Sequence, residues 1–158
     1  MATGDYVIKV DIGAVDKLLQ KYGREELGKR TRAAMNEALS FLQGEVEKRT
    51  PEGASGLLRQ SITSELRGTP MNLSGRVFSG GIPYARWAEQ GRAPGKFPPR
   101  GPIELWAKRV LGDATLWFVV ARSIARKGTK GAFMFRDAWR AGKGKIKAIF
   151  QRRILRGF

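Results

Sequence analysis

The chain of 158 residues contains neither cysteine nor histidine. Without cysteine there is no disulfide and no thiolate chemistry, and the redox compartment stays open. Without histidine the commonest general acid–base and the commonest transition-metal ligand are both missing. Serine–histidine and cysteine–histidine nucleophile pairs are therefore excluded within the chain, and a zinc site would rest on carboxylates alone. Long apolar runs are missing as well. No segment reaches the ~18 residues of a transmembrane helix, and the opening MATGDYVIKVDIG has no apolar run behind a basic start, so no signal peptide is expected. These absences predict a chain that folds in a cytoplasm as a soluble protein.

Acidic residues are scarce toward the C-terminus. Residues 1–91 hold 13 Lys+Arg against 11 Asp+Glu, a balance of +2; residues 92–158 hold 17 against 3, a balance of +14, which together give the net +16. Such asymmetry predicts a polyanionic or acidic neighbour, whether nucleic acid, anionic membrane or protein. The competing reading is a solvated basic face that keeps the chain soluble.

Periodicity supplies the expected elements. Ile8, Val10 and Ile12 alternate with polar residues, the signature of a half-buried strand. A short helix is expected over Ala14 to Tyr22. From Arg24 to Arg49, Leu27, Thr31, Ala34, Met35, Ala38, Leu39, Leu42 and Val46 recur at helical spacing and form one inward stripe. Pro51 ends that helix, because the residue before proline avoids the α region. SGLLRQSI predicts a turn of helix running into a strand. SITSELRG and SGRVFSG then read as two strands joined by the loop GTPMNLS.

Beyond the hairpin the chain reads as helical. Pro83 opens a short helix with Tyr84, Trp87 and Ala88, closed by Gly91, and RAPGKFPPR follows as a stiff surface loop. Pro102 suits a first helical position, with Ile103, Trp106, Ala107, Val110 and Leu111 tracing a buried face. Asp113 can cap the next helix, in which Trp117, Val120, Ala121 and Ile124 align. GTKG reads as a loop. A last helix is expected from Phe133 to Leu155, kinked or broken at Gly142 and Gly144. The resulting fold class is α+β: a long N-terminal amphipathic helix on a small, mainly antiparallel sheet, with a helical basic C-terminal part. Residues 1–131 are expected to form one domain and 132–158 a basic helix or arm docked on it or on a neighbouring subunit.

The chemistry-bearing residues form no catalytic constellation. Glu45 and Glu47 are two apart and cannot share a helical face. Glu37 has no carboxylate or cationic partner at useful local spacing. AGKGKIK lacks the glycine spacing and the preceding strand of a phosphate-binding loop. No catalytic, cofactor-binding or metal-ligating residue is assigned, and no cofactor is expected.

Two surfaces are assigned instead. Arg136, Arg140, Lys143 and Lys147 fall at spacings of four, three and four along one stripe, with Arg152 and Arg153 beyond them. A stripe of this kind can follow a phosphate backbone without reading sequence; a solvated helix face or an anionic membrane surface are the rival readings. Tyr84 and Trp87 share a helix face. They pack into the core beneath the proline loop, or anchor a subunit contact with Glu89, Arg92, Lys96, Phe97 and Arg100, since Tyr, Trp and Arg are favoured interface anchors, or both, with aromatics inside fixing a loop whose outer side meets a partner.

The order of motifs resembles a family of tailed-phage tail-completion or neck proteins, the family that includes the minor tail protein Z of lambda-like phages. The likeness spans Leu27 to Trp139. Pro51, Gly56, Leu58, Arg59, Ser61 and Ile62 match its proline-to-TG-x-L-R-x-S-I element, with Ser55 in place of threonine. Tyr84, Ala85, Glu89 and Gly91 match Y-A-x-x-x-E-x-G, with Gln90 replacing an aromatic and Arg92 a small polar residue. Pro98, Pro99, Ile103 and Trp106 match the proline-to-helix junction, and Ile124, Ala125, Lys127 and Gly128 the following helix end. AFMFRDAW departs from the family's usual R-P-F-L-x-x-A. The resemblance implies a non-enzymatic virion component that forms a ring, most simply a hexamer, at the head–tail junction. It further implies contacts with capsid-connector or head-closure proteins and with tail-terminator or tail-tube proteins. Double-stranded DNA would pass through the lumen, with no membrane involved and assembly in the host cytoplasm. A nucleic-acid-binding protein with a basic C-terminal helix is the alternative, and a carboxylate-dependent nuclease the third.

Overall fold

A computed structural model describes residues 8–11, 23–53, 55–69 and 72–155. The helix expected over Ala14 to Tyr22 lies outside the described residues. Helix α1 (Arg24–Arg49) carries the anticipated stripe inward: Leu27, Thr31, Ala34, Met35, Ala38, Leu39, Leu42 and Val46 are all buried. Glu25 and Glu26 lie in its first turn and Lys48 and Arg49 in its last, the signs that suit the helix dipole. The helix stops at Thr50, whose backbone is extended ahead of Pro51. The Thr50 hydroxyl donates to the Val46 carbonyl at 2.7 Å.

A single turn, α2 (Leu57–Gln60), leads into the sheet. Strands β1 (Ile8–Asp11), β2 (Ile62–Thr69) and β3 (Asn72–Ser79) form an antiparallel sheet with β3 in the middle. Its register runs Ile8↔Val77 on one side of β3 and Ile62↔Ser79 to Thr69↔Asn72 on the other. The ladder therefore takes up most of the expected loop GTPMNLS, because pairing continues to Thr69↔Asn72. Along β3, Leu73, Gly75, Val77 and Ser79 point to α1, alternating with half-buried Ser74, Arg76 and Phe78.

After the sheet the chain builds helix α3 (Ala85–Gln90), the short strand β4 (Gly91–Arg92) and helix α4 (Arg100–Trp106). A π turn (Ala107–Leu111), a 3₁₀ turn (Ala114–Leu116), helix α5 (Trp117–Lys127) and strand β5 (Thr129–Lys130) follow. The segment GTKG, expected as a loop, pairs instead with β4 through Gly91↔Lys130 and Arg92↔Thr129; a two-residue strand is too short to leave a period in the sequence. Asp113 accepts the Thr115 N–H at 2.8 Å, the anticipated cap. Val110 and Leu111, expected on a buried face, are exposed. The π turn places an extra residue in the helical repeat at Ala107–Leu111 and rotates that face outward.

Residues 93–128 thus form a lobe. Its helices pack chiefly against each other, Ala107 and Ala121 are its buried side chains, and none of its residues joins the main core. The lobe hangs on the two-strand stem of β4 and β5. Two glycines make the stem possible. Gly91 and Gly128 have φ of 80° and 71°, and a Cβ there would lie 2.3 Å from the Thr129 carbonyl oxygen or 2.1 Å from that of Arg92.

Helix α6 (Met134–Phe150) and a closing π turn (Gln151–Leu155) run antiparallel to α1. Met134, Phe135, Ala138 and Ile146 join the core built by α1 and the sheet, while Ile154 reaches Leu27 and Ala34. The break that Gly142 and Gly144 could have made does not occur; the helix is continuous. Gly142 is buried where α6 crosses α1, and a Cβ would stand 3.0 Å from the Phe41 ring. Its small size serves helix–helix contact. The architecture is α+β: a long helix on a small antiparallel sheet, with helices making up the C-terminal part.

Candidate interaction surfaces

Helix α3 positions Tyr84, Trp87 and Glu89 of the first set of candidates, and the structure divides them. Its inward face is Ala85, Ala88 and Glu89, spaced at i, i+3 and i+4. Tyr84 and Trp87 lie off that face, 41% and 53% exposed. The core-packing reading of these aromatics is therefore overturned: the smallest residues take the inward stripe. Arg92 is half-buried and its guanidinium donates to the Lys96 carbonyl, bracing the proline segment. Lys96, Phe97 and Arg100 are exposed.

Glu89 does not belong to an exposed surface. It is 3% exposed, and its carboxylate accepts the backbone N–H of Phe135 at 3.0 Å and that of Arg136 at 3.2 Å. It caps the N-terminus of α6, where unpartnered donors and the helix dipole favour an anion. Around it, the Phe133 and Ala132 N–H groups donate to the Glu89 and Ala88 carbonyls at 3.0 and 2.8 Å. Phe133 holds a left-handed φ of 50°, fixed by these bonds and by the Arg136 guanidinium 3.6 Å from its ring centroid.

Phe97 and Arg100 belong to a cluster that sequence reasoning saw only in part. The Phe97 and Phe118 rings stack at 5.9 Å, Phe118 meets Trp117 edge-on at 5.7 Å, and the Arg100 guanidinium lies 4.9 Å from the Trp117 ring centroid. Phe97 and Phe118 are each about half exposed. Exposed Leu105, Val110, Leu111, Leu116 and Val119 share the lobe with them. Trp117 had been assigned to a helix face and Phe118 to none; two adjacent aromatics at the start of an otherwise amphipathic helix were the available signal.

The basic stripe is divided too. Arg136, Arg140, Lys143 and Lys147 are all exposed. Arg136 is tied locally, its Nε donating to Asp137 at 2.9 Å. Arg152 and Arg153 both bind Glu37 of α1, Arg153 at 2.8 Å. These two guanidiniums hold the Glu37 carboxyl below its ordinary range, Arg153 most strongly. Glu37, which had no local partner in sequence, thus finds two cations more than a hundred residues away. Arg140, Lys143 and Lys147 form the exposed remainder of the stripe.

Among the described residues no three His, Cys, Asp or Glu side chains gather as a metal-ligand set, and no helix is long and apolar enough to cross a membrane. Compared with protein-family models, curated proteins and solved structures, the chain matches none.

Proposed function

We propose that the chain is a structural virion protein of a tailed bacteriophage, a ring-forming neck or tail-completion component that joins tail to capsid connector around the DNA path. The observation that carries the reading is the lobe. An aromatic and arginine surface stands clear of the core on a stem whose Gly91 and Gly128 belong to the resembling motifs. Side chains of this kind dominate protein interfaces, and a head-to-tail contact between copies closes into a ring when its rotation permits. The order of motifs from Leu27 to Trp139 supports the same reading.

In this role the work is mechanical. Exposed Arg140, Lys143 and Lys147 would hold phosphate without reading bases. No bond-making step is assigned to any residue. A reconstruction of the head–tail junction of particles carrying this chain tests the reading; purified virions devoid of it would refute it.

The exposed cations also favour a second reading, a sequence-independent nucleic-acid-binding protein that acts outside a particle. Sedimentation with and without DNA separates the two. The first reading expects a closed multi-copy species without DNA, and the second a monomer or dimer that changes size on DNA. Incubation with DNA and magnesium addresses a nuclease, and sustained cleavage abolished by one Glu→Gln change would overturn both.

A further inference from the structure

We infer that the lobe is the arm by which one copy of this chain grips the next, docking on the α3 face that displays Trp87 and Tyr84. The inference rests on the ring reading and adds to it the two surfaces that meet. Among the described residues, the exposed large apolar side chains are concentrated in the lobe, with Phe97, Phe118 and Val119 among them, Val119 at 63% exposure. The seven on the lobe are between 37% and 63% exposed, and their apolar area counts toward the roughly 800 Å² per partner of a standard interface. Exposed apolar side chains gathered on one small lobe, two of them stacked on each other, mark a docking surface.

Charge decides against the lobe meeting its own kind. Residues 93–128 hold seven Lys+Arg and two Asp+Glu, and a twofold contact would press two such cationic surfaces together. The segment that carries α3, residues 80–91, holds one arginine and one glutamate, so the lobe meets less positive charge there than on a second lobe. Outside the lobe, the exposed aromatics among the described residues are Tyr84 and Trp87, and interface anchors tend to pair with anchors. Lobe against α3 is a contact between two different surfaces, so each copy both gives and receives, and the chain of contacts closes as a ring when its rotation permits.

Sedimentation velocity on the full chain tests this with two surface variants, Val119→Asp on the lobe and Trp87→Ala on α3. Both positions are exposed, and unchanged thermal melting confirms that the variants fold. Wild type is expected as a closed oligomer and each variant alone as a monomer. An equimolar mixture is expected to stop at the dimer, because the intact α3 face of one variant takes the intact lobe of the other. An oligomer that Val119→Asp leaves unchanged overturns the inference and leaves the ring reading standing. Two monomeric variants whose mixture stays monomeric overturn the lobe-on-α3 pairing. A monomeric wild type overturns the ring reading and the inference together, and assigns the patch to a partner other than this chain.

Discussion

The carboxylate of Glu89 receives the backbone N–H of Phe135 at 3.0 Å across 46 residues of chain. Everything between them is the lobe and its stem. One buried side chain therefore fixes the start of the C-terminal helix and the point from which the lobe leaves the body.

Replacing Glu89 by alanine leaves the Phe135 and Arg136 N–H groups unpartnered at a buried helix start. Hydrogen bonds to a charged group contribute about 1.5–3 kcal/mol each, less where one donor regains water. We expect Glu89→Ala to lower unfolding stability by roughly 3 kcal/mol, and Glu89→Gln by less, since one acceptor oxygen remains. Urea denaturation measures both. A loss below about 1 kcal/mol in the alanine variant contradicts the capping role.

At the stem, Gly91→Ala meets both a left-handed backbone and a carbonyl oxygen 2.3 Å from the new Cβ. The β4–β5 pairing is expected to open and free the lobe from the body while α1 and the sheet persist. Limited proteolysis reads this directly: cleavage within 93–128 should accelerate well before the core is attacked. Equal protection in wild type and variant would show that the stem tolerates a side chain.

The tie between Glu37 and Arg152/Arg153 carries a pH signature. A carboxyl depressed below its ordinary value of 4.5 in the fold stabilises the folded state above that value and loses the contribution as pH falls through the depressed one. Residues 151–155 should therefore stay docked on α1 at neutral pH and loosen in acid, below 4.5. The pair is exposed to solvent, so global stability should barely move. Hydrogen exchange of the 151–155 amides is the measurement. Glu37→Gln should show at neutral pH the exchange that wild type shows in acid, and exchange insensitive to both changes removes the tie.

On the basic stripe, changing Arg140, Lys143 and Lys147 to glutamine leaves every buried contact intact. Each phosphate contact contributes about 0.9 to the slope of log K against log salt. The triple variant is expected to lose up to about 2.7 of that slope for double-stranded DNA, with unaltered melting. A slope equal to that of wild type removes the stripe from the DNA path.

What was legible in the sequence was local. The α1 stripe, its stop at Pro51 and the Asp113 cap depend on residues within a few positions, so spacing alone reveals them. What was missed depended on distant partners. Glu89 looked like a surface carboxylate because its donors lie 46 and 47 residues on. Gly142 looked like a helix breaker because Phe41, the ring it admits, sits on another helix. Val110 and Leu111 looked buried because a π turn leaves no periodic trace. Phe118 went unassigned because its stack with Phe97 joins two segments whose packing no short window contains.

In the proposed role these residues act through shape and positive potential within a multi-copy collar. An electron-microscopic reconstruction of the head–tail junction tests it most directly. The expected density is a closed ring of this chain with a lobe at every subunit boundary and Arg140, Lys143 and Lys147 turned toward the central channel. A junction lacking the chain, or a ring with those three cations all on its outer rim, would contradict it.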